Sequence, residues 1–275
     1  MKPVGLPRRA ALPSRPAPQP GSPWRWAGAG VVIGAIAVTA LLAPARWLGA
    51  VVTRASQGRV LITDTSGTVW RGSGQLVLAG GAGSHDRAAL PGRVRWRLTP
   101  GLTGAHLTLD TDCCTPRGPL VISLMPRWGG AQARLADAQA RLPADWLDGL
   151  GAPFNTLQPR GEIGWQSQAL TLLWQSGRLV MSGQVTITAR AMSSRLSPLR
   201  PLGSYQVIIA GGDAPTLKLT TLEGRLQLTG DGQWTGGRLR FQGLATPAPG
   251  MEAQLANLLN AIGRRRGSQS VLNLG

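Results

Sequence analysis

The chain has 275 residues and carries 29 basic against 12 acidic side chains, a formal net charge of +17. The excess is arginine spread along the chain, with lysine only at Lys2 and Lys218 and no nucleic-acid recognition motif; this argues against a nucleic-acid binder and fits acidic partners or anionic lipid head groups. The two cysteines, Cys113 and Cys114, are adjacent, which excludes a disulfide framework between distant strands.

Residues 1–25 hold Lys2, Arg8, Arg9, Arg15 and Arg25, no acid, and seven prolines between positions 3 and 23. They read as a disordered basic tail that stays in the cytoplasm. Residues 26–45, WAGAGVVIGAIAVTALLAPA, run for twenty positions without a charge. A helix of that length spans a hydrocarbon core of about 30 Å, so a transmembrane anchor is predicted. Trp24, Trp26 and Trp47 bracket it as interfacial aromatics do, and Pro44 is expected to end the helix. Ala43-Pro44-Ala45 has the spacing of a signal-peptide cleavage site, but the apolar run exceeds the usual core of about 7–15 residues, which favours an uncleaved anchor. The bulk of the chain is then exported.

Residues 46–275 read as one β-rich body. Short segments of alternating polar and apolar residues recur at 58–64, 73–80, 92–98, 105–110, 119–124, 131–142, 162–167, 169–174, 178–189, 204–211, 216–230 and 237–243, most of them separated by glycine turns. Period-2 alternation without intervening helices predicts an antiparallel open sheet, sandwich or groove. Two stretches depart from it. Residues 143–150 (PADWLDGL) read as a helical turn with Leu147 and Leu150 inward. Residues 251–262 (MEAQLANLLNAI) place Leu255, Leu258, Leu259 and Ile262 on one stripe, an amphipathic helix laid on the sheet, with Gly263 as its cap and a last strand in SVLNLG. A glycine-to-tryptophan pattern recurs at Gly67–Trp70, Gly92–Trp96, Gly161–Trp165 and Gly232–Trp234, consistent with two similar halves at about 58–142 and 159–275.

The chemistry-bearing residues are sparse. There are two histidines, His85 and His106, and neither a metal-ligand cluster, a nucleophile motif nor a phosphate loop, so no enzyme, cofactor or small-molecule substrate is expected. For Cys113–Cys114 three arrangements are open: a vicinal disulfide, which is favoured as a structural turn, bridges to another chain, or free thiols.

Several ordered motifs resemble the protein N family of bacterial type II secretion systems. They are Gly67-Thr68-Val69-Trp70-x-Gly72, Trp96-Arg97-Leu98-x-Pro100, Gly151-Ala152-Pro153-Phe154-Asn155-Thr156-Leu157, Leu196-Ser197-Pro198-Leu199-Arg200-Pro201-Leu202-Gly203-Ser204-Tyr205, Thr221-Leu222-Glu223-Gly224, Gly230-x-Gly232-x-Trp234 and Phe241-x-Gly243. The resemblance covers residues 26–275. It implies an inner-membrane, single-pass protein with its β-rich bulk in the periplasm, a non-catalytic accessory that contacts the outer-membrane secretin and the inner-membrane platform, with self-association left open. The loop 190–205, with Arg195, Arg200 and Tyr205 expected to be exposed, is the segment chosen for partner contact. The rival reading is a lipid-binding or lipid-transfer module whose sheet curls into an apolar groove.

Overall fold

The computed structural model describes residues 23–81 and 83–275; the expectation for the tail falls largely on residues 1–22, outside that range. Two compact units divide at Leu42 and Ala43.

In the first unit, helix α1 covers Pro23–Leu41. Its nineteen residues rise about 28 Å. Among the described residues no helix is long and apolar enough to cross a membrane. The helix ends four residues before the end of the charge-free run, because the residues preceding Pro44 are pushed out of helical geometry.

The second unit opens with helix α2 (Ala45–Ala55), whose N-cap is Pro44. Strands β1 (Val60–Gly67), β2 (Arg71–Ala79), β3 (Arg87–Ala89), β4 (Val94–Gly101), β5 (Gly104–Thr111) and β6 (Leu120–Arg127) follow. Then come β7 (Gly130–Leu135), β8 (Ala138–Pro143), a 3-10 helix (Ala144–Leu150) and the single turn α3 (Phe154–Leu157). Strands β9 (Arg160–Gln175), β10 (Arg178–Ser193), β11 (Gly203–Ala210), β12 (Thr216–Gly224), β13 (Leu226–Thr235) and β14 (Arg238–Pro247) lead to helix α4 (Glu252–Ile262) and strands β15 (Arg264–Arg266) and β16 (Gln269–Leu274).

All sixteen strands join one sheet, in the order β1-β2-β4-β5-β6-β7-β9-β10-β11-β12-β13-β14-β16-β15, with β3 also on β2 and β8 also on β9. Every pairing is antiparallel. The predicted antiparallel β architecture is therefore present as an open sheet. The segments 162–167 and 169–174 are one strand, β9, running through a bulge at Ala169, which has φ +48°. Residues 131–142 split into β7 and β8, which pair successive halves of β9. Residues 216–230 instead fold back at Gly224 into β12 and β13. Bulges also interrupt the ladders near Asp64 and Ala191, both with positive φ, and each bends its strand and adds twist.

Helix α4 forms as the apolar stripe requires. Leu255 and Leu259 are wholly buried and Leu258 nearly so; they pack with Leu199, Leu202, Leu226 and Ala245 into the main core cluster. Each leucine contributes roughly 1.5–3 kcal/mol of burial. Gly263 follows the helix in extended conformation (φ −170°), not in the left-handed cap expected, because the chain passes straight into β15. In the 3-10 helix Leu147 and Leu150 are half-buried, while Ala144 and Gly149 are the buried residues.

Candidate functional site

The period-2 alternation sorts the sheet into two chemically distinct faces. Directly paired residues share a face, so rungs can be followed across strands. One rung runs Ala140–Trp165–Ile187–Val207–Leu219–Gly230–Gly243–Leu272. In the earlier strands Leu98–Leu107–Ile122–Leu135 continues this apolar face. The opposite face carries Arg97, Arg134, Arg190, Lys218, Asp231 and Arg240 on the alternate positions. Helices cover only parts of the apolar face, and Leu98, Leu107, Ile187, Val207 and Leu219 stay half-buried.

On the charged face, strands β12, β13, β14 and β16 form an open trough of about 990 Å³. Its floor includes the rung Lys218–Asp231–Gln242–Asn273. Nothing in the sequence marked it, because it arises from the curvature of the sheet and not from a motif.

The loop between β10 and β11 is mostly core. Ser194, Ser197, Leu199 and Leu202 are buried. The Ser194 hydroxyl donates to the Leu157 carbonyl (2.6 Å) and that of Ser197 to the Gln254 carbonyl (3.1 Å), tying the loop to α3 and α4. Arg195 and Arg200 are exposed as expected. Tyr205 is not: it lies in β11, 7% exposed, with its hydroxyl donating to the Leu226 carbonyl at 3.0 Å. Burial pushes its phenol well above the ordinary value. The sequence placed Tyr205 in a loop because two prolines and a glycine precede it; the strand starts two residues before the tyrosine, at Gly203, and turns its side chain inward.

Cys113 and Cys114 sit in the turn after β5, with their sulfurs joined and Cys114 buried. The turn is held independently by Thr115, whose hydroxyl donates to the Thr111 carbonyl (3.0 Å) and Asp110 Oδ1 (3.1 Å). The Arg95 guanidinium reaches Asp110 at 2.8 Å and Asp112 at 2.7 Å, and its hydrogen bond holds the Asp110 carboxyl below the usual range. His106 lies one strand from Ser123 (3.2 Å), and among the described residues no three His, Cys, Asp or Glu side chains gather as a metal site.

The remaining motif residues are architectural. Trp96 is buried over Gly72, where an added Cβ would come within 2.5 Å of its ring, and its Nε1 donates to the Thr68 and Val69 carbonyls (3.2 and 3.1 Å). Those bonds fix the turn formed by Gly67 to Trp70, whose carbonyl in turn accepts from Leu98 N. Pro153 opens α3, Asn155 Nδ2 donates to Asp86 Oδ2 (3.0 Å), and the Leu157 carbonyl receives Ser194 and Arg195. Gly203 and Gly224 face each other in one rung so closely that neither has room for a side chain. Phe241 is buried against Gly230 and Gly243, and Trp234 is half-buried at the far end of β13.

A protein-family model described as "Type II secretion system (T2SS), protein N" matches residues 58–272. No curated protein and no solved structure matches the chain.

Proposed function

Because the chain belongs to the type II secretion system protein N family, with the role in type II secretion which that membership supports, we propose that it acts there as a non-catalytic accessory held at the inner membrane. The observation that carries this reading is the family match over 58–272, nearly the whole of the β unit. Membrane attachment rests on the sequence: residues 26–45 lack any charge, and α1 covers residues 26–41 of them. A tether raises the effective concentration of the sheet near envelope partners. The partners proposed are the outer-membrane secretin and the inner-membrane platform, with the bulk of the chain in the periplasm. The contact segment is the exposed rim of the β10–β11 loop, Arg195 and Arg200; Tyr205 is withdrawn from it because it is buried. Cys113–Cys114 is read as a lock on its turn, with no redox role.

Replacing Arg195 and Arg200 together by glutamate is expected to reduce co-purification of the full chain with the secretin several-fold, more so at low than at moderate salt. Unchanged capture at both ionic strengths refutes the loop as the contact.

A second reading is favoured by the uncovered part of the apolar face. A charge-free, half-buried sheet surface of this kind can take acyl chains. Native mass spectrometry of the purified chain separates the two: co-purifying lipid supports the lipid-binding module, and partner-dependent capture without lipid supports the accessory role.

A further inference from the structure

Helix α2 is apolar on two sides. The stripe it turns to the sheet holds Ala45 and Gly49, both buried, with Leu48 and Val52, both half-buried; an added Cβ on Gly49 would lie 3.2 Å from the Ile62 carbonyl. The stripe it turns outward is apolar too: Trp47 is 47% and Val51 62% exposed, with Ala50 beside them. Arg46 and Arg54, both exposed, lie on the same outward side, and the helix contains no acid. A helix whose outer side met only water would carry polar residues where Trp47 and Val51 stand. This arrangement is that of a helix lying in a membrane interface. There an indole sits at head-group level, aliphatic side chains enter the acyl boundary by about 5–10 Å, and arginines meet lipid phosphates.

We propose that the outer stripe of α2, Trp47 and Val51 with Arg46 and Arg54, docks the β unit onto the surface of an anionic bilayer. The proposal rests on the reading of residues 26–45 as an anchor, since α1 ends at Leu41 and α2 begins at Ala45. A chain that leaves the hydrocarbon within four residues has no length in which to carry α2 away from the head groups, at about 3.3–3.6 Å per residue. The two arginines are drawn to the phosphates of an anionic surface. The stripe would thereby fix which side of the sheet faces the membrane, something a single-span tether leaves free to rotate.

The test uses the full chain, with Cys113 and Cys114 replaced by serine, in vesicles of phosphatidylethanolamine and phosphatidylglycerol. Spin labels are placed one at a time at Val51→Cys, at Ile33→Cys within α1 and at Thr235→Cys, ten strands from β1 in the sheet. Power saturation compares accessibility to oxygen, which favours lipid, with that to a water-soluble nickel chelate. The expected result is an oxygen-to-nickel ratio at position 51 roughly threefold or more above that at 235, as for a side chain at the acyl boundary. It should fall toward the value at 235 when Arg46 and Arg54 are replaced by glutamate. A water-like ratio at 51 with a lipid-like ratio at 33 overturns the docking and leaves the anchor standing. A water-like ratio at 33 overturns the anchor itself. Low access of both reagents at 51 means that protein covers the stripe, and that also overturns the proposal.

Discussion

Tyr205 is the chain's one tyrosine, and its buried hydroxyl makes a single hydrogen bond, to the Leu226 carbonyl. Burial favours the neutral phenol, so its pKa in the folded state lies above the unfolded value of about 10. The folded state then holds a proton that the unfolded state releases. The associated stability is fully present below pH ~10 and is lost as the pH climbs from there toward the folded-state pKa. Tyrosinate absorbance should therefore appear together with unfolding in an alkaline titration. Denaturant midpoints measured between neutral and strongly alkaline pH should fall less steeply for Tyr205→Phe than for the wild type. At neutral pH the same substitution leaves a buried carbonyl unpaired and is expected to cost about 1–3 kcal/mol. A phenol that titrates near its ordinary value in the folded protein contradicts this picture.

At the scale of elements, α4 and the β10–β11 loop form one packing unit. The loop contributes Leu199 and Leu202, the helix Leu255, Leu258 and Leu259, and the strands Leu226 and Ala245. Leu259 is fully buried and its carbonyl accepts the buried Ser270 hydroxyl at 2.8 Å, so helix and last strand are joined at that point. Leu259→Ala should cost about 2–5 kcal/mol, through lost burial plus the cavity left behind. A shift of the denaturation midpoint equivalent to under about 1 kcal/mol would mean that the helix is not a working part of the core. The amphipathic stripe at 251–262 was legible because helical periodicity is local. The packing of the loop was not, because its leucines lie among prolines and serines with no period, and their partners come from α4, β13 and β14.

At the scale of the whole molecule, the sheet separates an uncharged face from a charged one across more than a dozen strands. Leu219 and Thr220 are neighbours in β12 and both half-buried, yet they point to opposite faces. Leu219→Lys places a cation on the apolar face beside Val207, and is expected to destabilise by at least about 2 kcal/mol. Thr220→Lys should stay within about 0.5 kcal/mol. Equal effects of the two, measured by thermal or denaturant unfolding, would show that the faces are not distinguished energetically. Helices cover the apolar face only at certain strands and leave part of it open.

The alternation of apolar and polar residues by itself determined that the segments between 58 and 243 form antiparallel strands, and the four leucine and isoleucine positions from 255 to 262 determined the last helix. Both follow from the spacing of side chains along a single segment, and they need no knowledge of what lies opposite. The same holds for the charge-free run at 26–45 and for the scarcity of catalytic groups. Only the tertiary structure decided that two predicted strands are one bulged strand, that Tyr205 and the leucines around it close a core, and that α2 leaves Trp47 and Val51 exposed. Those outcomes depend on which segment pairs with which and on how far the sheet bends, and that information is shared between residues distant in sequence.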